Sequence, residues 1–278
     1  MPEPIIASKQ SIEQLFDGAA AAYDRTGPSL FARWGARLVE LMASEPGAHV
    51  LDVATGRGAV LLPAAQRVGP NGRVVGIDLS AAMVEETEAA AAAQNLTPAY
   101  AGVTVHRMDA EHLDFPDASF DAVTCAFAIF LFPAQDMALS EMARVCKPGG
   151  LIGLSIFGRT PPPFDPGWSI FGRLATAYGV SVRLPQRVAL THGEFKALLG
   201  QAGLQDIEIH DETTDAIYAT EEDWWAFQHT LGTRATILAM DEATRMRFKE
   251  DYLAKMRPLF RADGLHLPVN VLYAVARP

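Results

Sequence analysis

Between residues 10 and 43 the apolar positions Ile12, Leu15, Phe16, Ala19 and Tyr23, then Phe31, Trp34, Leu38 and Leu41, recur at three- and four-residue steps. That spacing predicts two helices, broken at Gly27-Pro28. From His49 the pattern changes to short apolar runs. His49–Val53 reads as a strand, followed by a glycine-containing turn and an Ala/Leu/Val helix to Val68. A second strand, Arg73–Ile77, closes on Asp78, and Ser80 then caps a helix that runs through Met83 and an alanine tract to about Asn95. The third strand is Val103–Arg107, closed by Met108-Asp109; the fourth is Phe120–Ala126, leading through Phe130 and Phe132 into a helix that ends near Val145. Lys147-Pro-Gly-Gly150 reads as a tight turn, and a fifth strand, Leu151–Phe157, follows.

Strands spaced by helix-length intervals imply right-handed crossovers and a mostly parallel sheet with helices on both faces. The last third differs in texture. A Pro-rich loop, Thr160 to Pro166, precedes a helical stretch from Trp168 to Tyr178. Thr191-His-Gly-Glu194 is a capping box for a helix ending at Gly203; Leu204–His210 and Val269–Val275 read as the last two strands. Between them lies a helical insertion, Thr220 to Arg261, opened by a Thr-x-x-Asp cap at Thr220. The expected architecture is α/β and Rossmann-like, a seven-stranded sheet with N-terminal helices and a helical lid before the last strand. The expected segments are 1–45 as helical cover, 46–157 as core, and 158–278 completing the sheet with insertions at 158–190 and 219–262. All belong to one structural domain.

Charge and composition narrow the function. With 278 residues, about half apolar, the chain can bury a sizeable core, and its net charge of -10 argues against a phosphate-tracking surface, so no nucleic acid partner is expected. Cys125 and Cys146 have no metal-ligand spacing and read as buried thiols in a reducing compartment; no metal site is expected. The N-terminal Met1-Pro-Glu-Pro-Ile-Ile lacks the pattern of a secretory signal, and the longest apolar run, Ala122 to Phe132, ends at Pro133. That is about half the roughly 20 residues a spanning helix needs, so no integral membrane association and a cytoplasmic location are expected.

The strongest chemical signal is Val50-Leu-Asp-Val-Ala-Thr-Gly-Arg-Gly58, an apolar strand that ends in a carboxylate and turns through two glycines into a helix. Such a turn brings backbone close to a ligand and presents unpaired N–H groups. A dinucleotide fingerprint requires a third glycine where Leu61 stands, which weakens a nicotinamide reading.

The segment resembles the glycine-rich motif of class I S-adenosylmethionine (SAM) dependent methyltransferases. Asp52, Gly56 and Gly58 match it, and Ala54 stands where the first glycine usually is. The resemblance implies that Asp52, Ala54, Thr55, Gly56 and Gly58 surround the methionine part of the cofactor, with the acid near its amino group. Asp78, closing strand two, is the acid that would hold the ribose hydroxyls, with Leu79 and Met83 as apolar cover. Met108-Asp-Ala-Glu111 is similar to the segment that receives adenine, with Asp109 and Ala110 in those roles. Phe120-Asp-Ala-Val, Cys125-Ala-Phe127 and Arg144-Val-Cys-Lys-Pro-Gly-Gly150 complete the set. The likeness covers residues 46 to 157 and is nearest to the menaquinone and ubiquinone C-methyltransferase-like group. Phe16-Asp-x-x-Ala-x-x-Tyr23-Asp24 is similar to that group's helix over the cofactor.

Singly, Asp52, Asp78 and Asp109 read as helix-capping loop carboxylates; their coincidence at three successive strand ends favours a cofactor. Tyr23 stays open between core and cofactor lid, and is carried with His229 as a catalytic candidate. His229 shares a helical face with Trp225 on the insertion. His192 reads as exposed at a helix start, His106 as alternating within strand three, and His210 as ending a strand. Phe16, Phe127, Phe130, Trp224 and Trp225 form either an acceptor pocket or ordinary lid packing.

Methyl transfer from a sulfonium to a small-molecule acceptor (a quinone, an aromatic or another natural product of secondary metabolism) is an in-line displacement that leaves S-adenosylhomocysteine. Catalysis can rest on positioning and exclusion of water, with a base needed only for acceptors that lose a proton. The acceptor would lie between the first helix, the loop after strand four and a mobile lid insertion. Rival readings are a SAM-fold protein that does not methylate, as a cyclase or binding partner, and a nicotinamide oxidoreductase.

Overall fold

The computed structural model describes residues 8–25, 27–96, 102–159, 166–181, 188–230 and 232–278. The expected Pro-rich loop falls, up to residue 165, outside the described residues.

Two helices, α1 (Lys9–Ala19) and α2 (Leu30–Met42), precede β1 (His49–Val53). Then α3 (Leu61–Val68), β2 (Arg73–Asp78), α4 (Ala81–Ala93), β3 (Thr104–Arg107) and β4 (Phe120–Ala126) alternate. They are followed by α5 (Gln135–Val145), β5 (Cys146–Gly158), α6 (Pro166–Ala177), β6 (Ala189–Leu190), α7 (His192–Gln201) and β7 (Gln205–Tyr218). The insertion carries α8 (Glu221–Gln228), α9 (Thr233–Leu238), α10 (Glu242–Met256) and β8 (Phe260–Arg261), and β9 (Gly264–Arg277) ends the chain.

The sheet runs β3-β2-β1-β4-β5-β9-β7, and the two-residue strands β6 and β8 attach to β5 and β9. The first five strands are parallel; β9 is antiparallel to both β5 and β7. The expected seven-stranded path is therefore present, with two short strands added. One core, with Trp34, Leu38, Leu61 and Phe127, lies on one face; a second, with Leu51, Ile77, Val123 and Leu139, lies on the other. Leu61, where a dinucleotide fold has its glycine, packs onto Gly76 of β2, where a Cβ would come 2.4 Å from the Leu61 Cδ1. Close helix–sheet packing is thus achieved with the small residue on the strand.

Local caps match their sequence signals. Ser80 Oγ accepts from Met83 N at 3.1 Å, and Thr191/Glu194 and Thr220/Asp223 form full capping boxes. Both cysteines are free and buried.

Four expectations are corrected. Helix α1 ends at Ala19, so Tyr23 sits in the following turn; Asp24, at φ +53°, accepts from Phe31 N and Ala32 N and caps α2 instead of extending α1. The Lys147–Gly150 turn is not separate from the strand, because the chain passes from α5 directly into β5 at Cys146, which pairs with Phe120. β7 continues past His210 to Tyr218, so that histidine lies mid-strand. β9 starts at Gly264, not at Val269. Pro268 is tolerated because β5 pairs with β9 only as far as Val271, which leaves Pro268 on a stretch bonded to β7 alone.

Candidate active site

The C-terminal ends of β1, β2 and β3 open into a cleft beside a second groove. Both are lined by Tyr23, Ala54, Gly56, Ala126 and Phe127, which mark where they join.

Asp52 lies on the second-groove side and is buried, 1% exposed. Its neighbours follow from strand register: Asp52 stands level with Thr124 of β4, whose hydroxyl donates to Oδ1 at 2.8 Å, and Thr55 Oγ1 donates to Oδ2 at 2.7 Å. Burial outweighs these bonds and pushes the carboxyl up to about 6. Asp78 accepts from Gly56 N and Ser80 N, both at 2.9 Å, and is likewise raised to about 6 by desolvation. Asp109 lies at the far end of the first cleft with Ala110; its Oδ1 accepts from Glu111 N at 3.0 Å.

Helix α1 crosses this opening. Lys9, Ile12 and Phe16 share one face and line the cleft. The Lys9 ammonium sits 2.6 Å from Asp109 Oδ2 and 2.5 Å from Glu111 Oε2, while Asp17 accepts from Ser80 Oγ at 2.5 Å. Arg57, within the glycine turn, donates to the Tyr23 carbonyl at 2.9 Å and to Glu86 at 2.9 Å. Tyr23 stacks on Phe31 with ring centroids 5.2 Å apart, and Phe31 meets Phe127 edge-on at 5.4 Å. Burial, then the charges of Asp24 and Asp78, drives the Tyr23 phenol well above its ordinary pKa.

The geometry brings Asp52, Ala54, Thr55, Gly56, Gly58, Asp78, Leu79, Met83, Asp109, Ala110, Tyr23, Phe16 and Phe127 to these two grooves. Cys125 does not reach them; it is fully buried in the core on the other side of β4. Phe130 packs against Phe157, centroids 6.2 Å apart. Trp224 donates to the Tyr252 hydroxyl at 3.0 Å inside the lid, and Trp225 packs on His229, Phe248 and Tyr252. None of Phe130, Trp224, Trp225 and His229 is among the described residues lining either groove. Helical spacing places Trp225 and His229 together, but their face turns toward α10.

The family described as a methyltransferase domain matches residues 50–150. A ubiquinone/menaquinone biosynthesis C-methyltransferase of Geobacter sulfurreducens is 34% identical over 73% of this chain and 84% of its own length. The chain belongs to the class I SAM-dependent methyltransferases. A nocamycin O-methyltransferase of Saccharothrix syringae is 42% identical, covering 67% of the methyltransferase described here and 64% of the relative's own length. The solved YcgJ protein of Bacillus subtilis shares the fold, with TM-score 0.59 and 21% identity over 88% of this chain and 98% of that one.

In this methyltransferase the Ala54 departure from the glycine motif has a backbone cost, because Ala54 adopts φ +55°, a left-handed conformation that a Cβ disfavours. The site also contains residues that sequence reasoning passed over. Thr124 was findable from strand alternation, since it faces the same side as Asp52 one strand away. Lys9 was findable as the residue three before Ile12 and seven before Phe16 on the cleft face of α1. Arg57 and Glu86 had no local signal, because their pairing bridges 29 residues.

Proposed function

We propose that this methyltransferase binds SAM along the two joined grooves and transfers its methyl group to a small aromatic or quinone-like acceptor. The carrying observation is the arrangement of Asp52, Asp78 and Asp109 at three successive strand ends along one continuous opening. The donor set suits the cofactor: buried carboxylates for a cationic amino group and for two hydroxyls, a polar end for adenine, and apolar cover from Leu79 and Met83. In this reading Asp52 takes the amino group, with Thr55, Gly56 and Gly58 around the methionine chain. Asp78 takes the ribose hydroxyls, and Asp109 and Ala110 take adenine. The Asp52 carboxyl, held near 6 by burial, is stabilised in its ionised form by a cationic partner.

Bound SAM supplies an electrophilic methyl group whose leaving thioether needs no proton. What remains for the chain is positioning and exclusion of water. Tyr23, Phe31 and Phe127 form an aromatic wall where the grooves join, and Phe16 covers it from α1. The raised pKa keeps Tyr23 a phenol, so it serves as a hydrogen-bond donor to the acceptor and not as a base. His229, turned toward α10, is not placed to take the acceptor's proton.

Both O- and C-methyl transfer fit this wall, in line with the names of the two relatives. Calorimetric titration with SAM and S-adenosylhomocysteine tests the reading. Asp78→Ala is expected to weaken binding by about 1–3 kcal/mol, the scale of a lost hydrogen bond to a charged group. Unchanged affinity in that variant would refute the assignment of Asp78.

A further inference from the structure

Helix α1 carries a charged stripe beside the apolar one formed by Ile12 and Phe16. Lys9, Glu13 and Asp17 recur at four-residue steps, and each meets the rim of the first cleft. Asp17 accepts from Ser80 just beyond β2, and Glu13 pairs with Arg107, the last residue of β3. Lys9 reaches the end of the cleft assigned above to adenine.

The Lys9 ammonium stands between two carboxylates, 2.6 Å from Asp109 Oδ2 and 2.5 Å from Glu111 Oε2. The other oxygen of each acid is held as well. Glu111 N donates to Asp109 Oδ1 at 3.0 Å, and Ala134 N donates to Glu111 Oε1 at 2.8 Å. A chain of contacts, Ala134–Glu111–Lys9–Asp109, thus joins the start of α5 to α1 across the adenine end. Lys9, Asp109, Ala110 and Glu111 all line the cleft there, as does Pro133 beside Ala134.

Glu111 is buried, and among the described residues Lys9 is the cation with which it and Asp109 form ion pairs. Without that ammonium, two acids two residues apart would face one site with their charges uncompensated, which drives one of them away or toward its protonated form. An ionised carboxylate accepts about four hydrogen bonds. Asp109 uses one for Lys9 and one for Glu111 N, which leaves capacity for an amino group in the cleft.

We propose that Lys9 is a positioning residue for the cofactor. Its ammonium, clamped between Asp109 and Glu111, fixes Asp109 as an acceptor for the 6-amino group of adenine and so sets a preference for adenine over a 6-oxo purine, which would turn an acceptor toward that carboxylate. The inference rests on the cofactor reading above and adds to it the residue of α1 that makes Asp109 selective.

The test is calorimetric titration of the full chain with S-adenosylhomocysteine and with S-inosylhomocysteine, in which a 6-oxo group replaces the 6-amino group. The native chain is expected to bind the adenine compound at least about tenfold more tightly. Lys9→Met should shrink that preference to about threefold or less, Lys9→Arg should keep most of it, and added salt should weaken it. Glu13→Gln, which breaks the neighbouring pair of α1 with Arg107, should leave the preference unchanged. In an Asp109→Asn background, Lys9→Met should change the preference no further. The ratio of two affinities belongs to the folded chain, so a partial loss of stability in Lys9→Met does not mimic the effect. An unchanged preference in Lys9→Met, an equal loss of both ligands in that variant, or the same loss of preference in Glu13→Gln would overturn the proposal. A native chain that binds neither compound would bring down the cofactor reading, and one that binds both equally would bring down the role of Asp109. Either result would take the proposal with it, and both are distinct from a failure confined to the Lys9 variants.

Discussion

Replacing Asp52 by Asn should make the ligand-free methyltransferase more stable and a worse binder of SAM. The carboxyl is 1% exposed and raised from 3.8 to about 6, a shift of about 2 pKa units. At 1.36 kcal/mol per unit, keeping it ionised at neutral pH costs the folded state on the order of 3 kcal/mol. The sign follows from linkage. A folded-state pKa above the unfolded one means that the native chain binds more protons between about pH 4 and 6. Stability from this group is therefore present below pH 4 and lost as pH rises through 6. Asn removes that loss but matches the two threonine hydroxyls less well, at a cost of about 1 kcal/mol. The expected net gain at pH 7.5 is about 1–2 kcal/mol, or roughly 2–8 °C in melting temperature for a chain of this size. Differential scanning fluorimetry at pH 7.5 and pH 4, with calorimetric SAM titration alongside, measures both effects. The gain should vanish at pH 4 while SAM affinity at pH 7.5 falls at least about tenfold. An Asn variant that melts at or below the native temperature at pH 7.5 would refute the reasoning that Asp52 is a desolvated charge awaiting a cation.

Two further outcomes follow from the packing. Ala54→Gly, at φ +55°, should raise stability by about 0.5–1 kcal/mol in chemical denaturation, because relief of the left-handed strain exceeds the entropy glycine adds to the unfolded chain. Trp224→Phe removes the indole donor to the buried Tyr252 hydroxyl and leaves a void among Tyr218, Phe227 and Tyr252. It should cost about 2–4 kcal/mol by urea denaturation, and intact SAM binding by the folded variant would place that tryptophan in the lid core and not at the cofactor.

The strand-end aspartates and the glycine turn that line the grooves were legible because their signals are local. A strand, an acid at its end and a tight turn occupy fewer than ten consecutive residues, and their order along the chain is also the order in which parallel crossovers lay them side by side. Capping residues were legible for the same reason: Ser80, Thr191 and Thr220 act on N–H groups three positions away. The placement of the lid aromatics was not. Trp224, Trp225 and His229 carry the right chemistry at the right spacing, but a helical period says only that residues share a face, not which neighbour that face meets.

Sequence alone determined the alternation of strands and helices through residue 158, the three strand-end aspartates and the helix caps, all properties of short stretches and their periodicity. Tertiary structure decided the rest, through contacts between distant segments. Asp24 leaves α1 to cap α2. Lys9 reaches a carboxylate pair 100 residues away, and Arg57 meets Glu86 across 29. Pro268 survives in a strand because β5 stops short of it, and the lid tryptophans turn to α10 instead of the cleft. Such pairings depend on how whole elements dock, where burial and desolvation are settled, and no window of sequence contains that information.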